Sequence, residues 1–290
     1  MATFFYLRIN SNLDNMRTNR RNFLTRALAI GSAAAALPII SSAKEVEDNV
    51  PAAIPSLKGR KVLFTYGGWD GHEPKKYMDY MTSWLKDEGA EVQSFPTLDP
   101  YTDKSLMSSM DLVLQIYTMS QISKEQEAGL LEAVKVNGTG MAGWHGGMCD
   151  SFRNNVEYQF MTGGQWVSHP GGVIDYQVSI IDQKDEVTKG LKDFPMKSEQ
   201  YYMHIDPNVK VLATTKFNGA VCDWIDGAVI PVTWKKTYGK GRIFYTSVGH
   251  NLAHILDQPH AIEMLKRGIK WASASKYEPA EKWLAAAYKS

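Results

Sequence analysis

The sequence predicts an α/β protein built on a mostly parallel sheet that helices cover on both faces. In the first half of the chain, short apolar stretches alternate with stretches whose apolar residues recur at helical spacing. The apolar stretches are continuous, which is typical of parallel strands buried on both faces. Ligands of such sheets bind beyond the carboxyl ends of the strands, so the loops that follow the strands are the first candidates for a functional site.

The first half of the predicted domain contains four strands and two helices. The strands are expected at 61–66, 90–95, 111–117 and 140–144. A helix is expected over 74–88, where apolar residues have helical spacing and Gly89 provides a C-cap. A second helix is expected over 123–136, because Ser123 and Gln126 have the spacing of a capping box.

The second half of the chain is richer in strands. They are expected at 175–181, 209–214, 229–234 and 242–246. The glycines Gly239 and Gly241 lie between the last two stretches and indicate a hairpin. A final helix is expected over 260–274. The domain then spans 59–275, followed by a tail at 276–290 that includes a short predicted helix at 281–288.

The first 43 residues have the features of a secretion signal. Arg20 and Arg21 precede an apolar, alanine-rich run, and Ser41–Ala43 supplies the small residues of a cleavage site. The run is shorter than a typical membrane-spanning helix. A retained N-terminal anchor is the alternative interpretation. The sequence therefore predicts export by the twin-arginine route to the periplasm, with no stable span after removal of 1–43. Residues 44–58 are interpreted as a linker.

Charge and cysteine content exclude several classes of protein. The chain has a net charge of +1, and the signal contributes five arginines and one aspartate, so the remainder is slightly acidic. Without a basic stripe, nucleic acid is not an expected partner. The basic residues Lys235, Lys236 and Lys240 are interpreted as solvated surface. Cys149 and Cys222 lack zinc-binding spacing and are interpreted as buried thiols, although an exported protein could pair them.

The most informative motif is the segment 140–147, a buried strand that stops at a turn of small residues. This is the layout of a nucleophile elbow, with His145 where a serine or cysteine usually lies. An imidazole is suited to metal ligation or to general acid–base catalysis rather than to acyl transfer.

Other candidate residues also follow strands or lie in glycine-rich loops. Three further histidines and one carboxylate are candidates for the same cleft as His145, namely His72, His169, His250 and Glu199. A carboxylate beside aromatic rings, as Glu199 is, can have a raised pKa and serve as an acid or base. The aromatic and amide side chains suited to a sugar ring are Trp69, Trp144, Gln165 and Tyr201. For each residue alone, a structural role is an equally good interpretation.

Several stretches together resemble the ThuA-like (trehalose-utilisation) family over most of residues 60–273. They are 67–74, 143–147, 163–172, 198–202 and 238–250. The resemblance implies a flavodoxin-like, class I glutamine-amidotransferase-like three-layer sandwich and a role in sugar metabolism. In that fold the elbow cysteine faces a histidine after a late strand. Here the corresponding residues are His145 and His250, so amidotransferase chemistry is not expected.

The sequence therefore favours an exported carbohydrate-active enzyme, a hydrolase, lyase or isomerase acting on a keto-glycoside or disaccharide. His145, Glu199 and His250 are the expected catalytic residues. One mechanism uses a divalent metal such as zinc, held by His145 and His250 with His72 or His169. The other uses no metal and shuttles protons through His145 and Glu199. A sugar-binding module without turnover is the alternative, an amidase requires a reactive Cys149, and a homo-oligomer is left open.

Overall fold

The structure, a computed structural model, describes residues 53–278. The predicted signal, most of the predicted linker and the end of the tail, with its predicted short helix, lie outside the described residues. Within residues 53–278 no helix combines the length and apolar character needed to cross a bilayer. Leu57 belongs to the segment interpreted as a linker, yet it is fully buried in the core.

A large mixed sheet forms the centre of the domain. Its strands are β1 (Lys61–Gly68), β2 (Glu91–Phe95), β3 (Leu112–Thr118), β4 (Gly140–Trp144), β6 (Val173–Ile180), β7 (Phe194–Glu199), β9 (Lys210–Lys216), β10 (Val229–Tyr238) and β11 (Gly241–Thr246). Their order across the sheet is β2-β1-β3-β4-β11-β10-β9-β6-β7. Strands β6 and β10 run opposite to the others, so the sheet is mostly parallel. A separate antiparallel pair joins β5 (Gly164–Ser168) and β8 (Tyr202–Ile205).

Helices cover both faces of the sheet. They are α1 (Pro74–Asp87), α2 (Lys104–Ser109), α3 (Lys124–Lys135), α4 (Gly146–Cys149), α5 (Val156–Thr162), α6 (Leu252–Leu256) and α7 (Pro259–Ser273). Alternate residues of β1 enter different cores, since Val62 and Phe64 pack with α1 and α7 while Leu63 packs with α3 and α5. Two apolar cores separated by one sheet make a three-layer α/β sandwich, which confirms the predicted fold class.

Local signals account for the first half of the fold. The Ser123 hydroxyl accepts from the Gln126 amide at 3.2 Å, and the Gln126 side chain accepts from the Ser123 amide at 3.0 Å, so the predicted capping box forms. Gly89 follows α1 with a φ of 87°. The predicted hairpin also forms, because β10 and β11 pair antiparallel from Thr233↔Thr246 to Tyr238↔Gly241.

The prediction for the lysines of β10 was wrong. The β10 strand continues to Tyr238, beyond its predicted end, and carries Lys235 and Lys236 into the interior. Lys235 Nζ lies 2.7 Å from Asp185 Oδ1 and 2.7 Å from Glu186 Oε1. Lys236 pairs with Asp206. Buried ammonium groups persist because carboxylates from distant parts of the chain compensate them, which local sequence cannot indicate.

Candidate functional site

The elbow after β4 has the predicted form. His145 adopts φ 49° and ψ −143°, and α4 begins at the next residue. This backbone conformation is rare for a side chain that carries a Cβ. Gly146 must be small, because a Cβ there would lie 2.4 Å from the His72 ring. The strained turn places a buried imidazole at the carboxyl edge of the sheet.

Replacing His145 by glycine tests this strain. Both His145→Gly and His145→Ala remove the imidazole, but only glycine adopts the observed φ without a Cβ penalty. We expect His145→Gly to have the larger free energy of unfolding, by about 1 kcal/mol. Denaturant unfolding of the two variants measures the difference. Equal stabilities would show that the turn is unstrained.

Three imidazoles surround one carboxylate oxygen. Glu199 Oε2 lies 3.0 Å from His145 Nε2, 3.2 Å from His250 Nδ1 and 3.9 Å from His72 Nε2. His72 follows β1, His145 follows β4, Glu199 ends β7 and His250 follows β11. The candidate ligand atoms of these four residues all lie within 4.8 Å of one another. We call His72, His145, Glu199 and His250 the His–Glu cluster. These four residues were predicted to share one cleft, and the structure brings them together.

The hydrogen bonds of His145 fix its tautomer. Its Nδ1 lies 2.7 Å from the carbonyl oxygen of Ser247, which can only accept, so Nδ1 carries the proton. Burial lowers the pKa of His145 to about 3, so the ring is neutral at pH 7 and Nε2 has a lone pair. That lone pair faces the Glu199 carboxylate at 3.0 Å.

Glu199 is charged, against the expectation of a raised pKa. Burial raises its pKa, but hydrogen bonds from His145, His250 and His72 together hold it far below its usual range. Those hydrogen bonds require a proton on each facing nitrogen, whereas the low pKa of His145 leaves Nε2 without one. The burial of His145 and the acceptor carbonyl of Ser247 both favour a neutral ring with its proton on Nδ1. A carboxylate and an imidazole lone pair at this distance repel each other, and a cation bound by both would remove the repulsion.

A divalent metal fits this requirement. Three imidazole nitrogens and a carboxylate suit zinc and similar transition metals. Metal-binding histidines usually donate their other ring N–H to a protein oxygen, and His145 has Ser247 in this position while His72 Nδ1 lies 2.9 Å from Thr118 Oγ1. Of the two predicted third ligands, the geometry favours His72 over His169, which is outside the cluster.

Replacing Thr118 by valine tests the support of His72. Because the isosteric valine cannot accept from Nδ1, the ring loses its orientation. We expect zinc affinity to fall by about 10- to 100-fold. Competition with a chelating dye measures it. Thr139→Val is the matched control: it also removes a buried threonine hydrogen bond, to the Met110 carbonyl, at the opposite end of the sheet, and should leave zinc affinity unchanged.

Two other predicted residues border the cluster. Trp69 is 45% exposed, and its ring meets the His72 ring edge-on at 4.7 Å between centroids. The His169 Nδ1 lies 3.9 Å from Glu199 Oε1, and within residues 53–278 it has no hydrogen-bond partner. Both side chains are accessible to a ligand, and their assignment to substrate binding stays a prediction.

Two predicted substrate contacts are corrected by the structure. Trp144 is fully buried, since the last residue of β4 points into the core against Phe64 and Tyr77. Tyr201 is 2% exposed and stacks on His145 at 4.0 Å, so it supports the imidazole instead of facing a ligand. A third predicted contact, Gln165, borders a separate cavity of about 280 Å³ that no member of the His–Glu cluster lines, and its role in substrate binding stays a prediction.

The cysteines do not supply a nucleophile. Cys149 and Cys222 are both free thiols in the structure. Burial raises the pKa of Cys149 well above its usual value, so this residue remains a thiol. The amidase hypothesis, which requires a reactive Cys149, loses its support.

Sequence reasoning missed the residues that orient the cluster or flank it. Thr118 ends β3 at the same sheet edge, a position that could have indicated it. Ser247 acts through its backbone carbonyl, which no side-chain pattern reveals. Asp150 and Arg153, joined by two hydrogen bonds of 2.6 and 2.9 Å, resemble an ordinary surface pair in sequence.

The fold and the site together define a class: an α/β sandwich with a nucleophile-elbow turn that carries a histidine instead of a nucleophile. The family model ThuA, described as trehalose utilisation, matches residues 61–272. The chain therefore belongs to the ThuA family. A search of curated proteins returns no match.

Solved structures support the fold. A ThuA-like protein from Parabacteroides merdae ATCC 43184 is 21% identical, with a TM-score of 0.61 over 80% of this chain and 100% of that one. A ThuA-like protein from Bacteroides uniformis ATCC 8492 is 14% identical, with a TM-score of 0.61 over 79% and 96%. The cytoplasmic protein STM1381 from Salmonella typhimurium LT2 is 14% identical, with a TM-score of 0.53 over 76% and 100%. At these identities the similarity concerns the fold.

Proposed function

We propose that this chain is an exported, metal-dependent carbohydrate-active enzyme whose site is the His–Glu cluster. The observation that supports it most is the 3.0 Å approach of His145 Nε2 to Glu199 Oε2, with the only proton of the neutral imidazole held at Nδ1 by Ser247. His145, Glu199, His72 and His250 would together hold a divalent cation, and ligation to it would replace the repulsion between these two atoms.

The residues around the cluster suit a sugar ring as the ligand. A bound divalent metal supplies Lewis acidity, which polarises a carbonyl oxygen or acidifies a water molecule. Trp69 offers an exposed aromatic face beside His72, which can stack on the apolar face of a sugar ring. His169, on the open side of Glu199, can hold or transfer a proton at the substrate. The family description, trehalose utilisation, supports a disaccharide as the substrate. A keto-glycoside is the other proposed substrate, because a metal could polarise its carbonyl oxygen.

The proposal includes export to the periplasm. The paired Arg20 and Arg21, the apolar run and the cleavage signature within residues 1–43 support it. We expect the double replacement of Arg20 and Arg21 by lysine to retain the protein in the cytoplasm, measured by cell fractionation. Equal export of the variant would contradict the twin-arginine route.

A substrate screen tests the enzymatic part. The protein is purified without a nickel column, freed of metal with a chelator, and incubated with oxidised and unoxidised disaccharides, with and without zinc or manganese. We expect turnover of a keto-disaccharide only in the presence of metal. Turnover that survives the chelator would favour the proton-shuttle mechanism. Binding without turnover in every condition would favour the sugar-binding module.

A further inference from the structure

A fixed arginine–aspartate pair lies beside the His–Glu cluster and has no role in the proposed chemistry. Arg153 Nε donates to Asp150 Oδ1 at 2.6 Å, and Nη2 donates to Oδ2 at 2.9 Å. Asp150 is only 3% exposed, whereas the Arg153 side chain is 43% exposed. The buried carboxylate thus holds an accessible guanidinium in one orientation, with Nη1 left for another acceptor.

The pair is connected to the site through stacked rings. The guanidinium of Arg153 lies over the Trp166 ring at 4.4 Å from its centroid. Trp166 is 5.6 Å from the His169 ring and 6.3 Å from the Tyr201 ring, and Tyr201 stacks on His145. Arg153 therefore belongs to the same edge of the sheet as the cluster, on the side of His169.

Two buried polar atoms beside the pair are available to bind a ligand. The indole nitrogen of Trp166 is buried, and within residues 53–278 it has no acceptor. The Nδ1 atom of His169 is likewise buried without a hydrogen-bond partner among those residues. Polar atoms buried in this way are normally satisfied, so an oxygen-rich ligand or water is needed here.

We propose that Arg153, Asp150 and Trp166 form a second subsite that binds the hydroxyl groups of a neutral sugar ring. The inference rests on the proposed function for the sugar class. Asp150 holds the Arg153 guanidinium in place beside the Trp166 ring, so the subsite offers oriented donors to hydroxyl oxygens next to an aromatic face. Arg153 and Asp150 also cancel each other's charge, which suits a neutral ligand.

The test is a calorimetric titration of the zinc-loaded protein with trehalose. Arg153→Leu retains apolar cover over Trp166 but removes the donors, and should weaken trehalose binding by about tenfold. Asp150→Asn no longer holds the guanidinium by two charge-assisted hydrogen bonds, and should weaken trehalose binding in the same direction.

The controls separate this inference from the proposed function. Arg267→Leu removes an arginine whose Nε donates to Glu263 on α7, and should leave the trehalose affinity unchanged. Retention of one zinc ion per chain shows that each variant is folded. Wild-type trehalose affinity in both Arg153→Leu and Asp150→Asn would overturn the subsite while the metal site stands. If the wild type does not bind trehalose, the carbohydrate assignment fails, and the subsite fails with it.

Discussion

Replacement of Glu199 by glutamine is expected to abolish metal binding while making the metal-free protein more stable. The neutral amide has the shape of the carboxylate and can donate to the lone pair of His145 Nε2, which the carboxylate repels. One new buried hydrogen bond is worth about 1 kcal/mol, or about 2–4 °C in melting temperature for a domain of this size. Loss of an anionic ligand should weaken zinc binding by at least about 100-fold.

The sign of the stability change separates the two mechanisms. If His145 and Glu199 form a buried imidazolium–carboxylate pair without metal, Glu199→Gln breaks that pair and costs about 3–5 kcal/mol. A large fall in the melting temperature of the metal-free Glu199→Gln variant would therefore contradict the hypothesis of a metal site. Glu186→Gln is the matched control, because it removes a carboxylate paired with the buried Lys235 and should lower stability without affecting zinc.

The stability of the metal-free protein is expected to fall steeply in acid because of His145. Burial lowers the pKa of this residue from 6.5 to about 3. Between these values the unfolded chain binds a proton at His145 and the folded chain does not, so stability decreases as the pH falls. The slope from this group alone reaches about 1.4 kcal/mol per pH unit.

Denaturant unfolding between pH 4.5 and 6.5 isolates the histidine. In this window the free energy of unfolding of His145→Gln should change less steeply with pH than that of the wild type, by about 1.4 kcal/mol per pH unit. Glu199→Gln retains the buried imidazole, so its free energy of unfolding should depend on pH as steeply as that of the wild type. Equal slopes for His145→Gln and the wild type would show that His145 is protonated in the folded protein, as the ion-pair alternative requires.

The sequence predicted the first half of the fold well because its signals are local. Continuous apolar strands, the capping box at Ser123 and the glycine after α1 each act within a few residues. The second half depends on distant partners. Strand β7 contains Pro195 and lies at the sheet edge, and because proline is uncommon within strands its sequence does not indicate one. The inward lysines of β10 are acceptable only because Asp185 and Asp206 lie beside them.

The candidate site was predictable where topology alone brings residues together. His72, His145 and His250 each follow a parallel strand, and the carboxyl ends of these strands share one edge of the sheet. The prediction for Trp144 was wrong because Trp144 is the last residue of β4 and its side chain points into the core, whereas His145, one residue later, lies at the edge of the sheet. The Ser247 carbonyl, which fixes the tautomer of His145, was beyond prediction since the backbone carries it.

X-ray absorption spectroscopy on the protein titrated with one equivalent of zinc examines the cluster most directly. We expect one tightly bound ion per chain, with nitrogen and oxygen neighbours at about 2.0–2.2 Å, and no ordered site in His145→Ala. A spectrum of hydrated zinc in the wild type, identical to that of His145→Ala, would contradict a metal centre at His72, His145, Glu199 and His250.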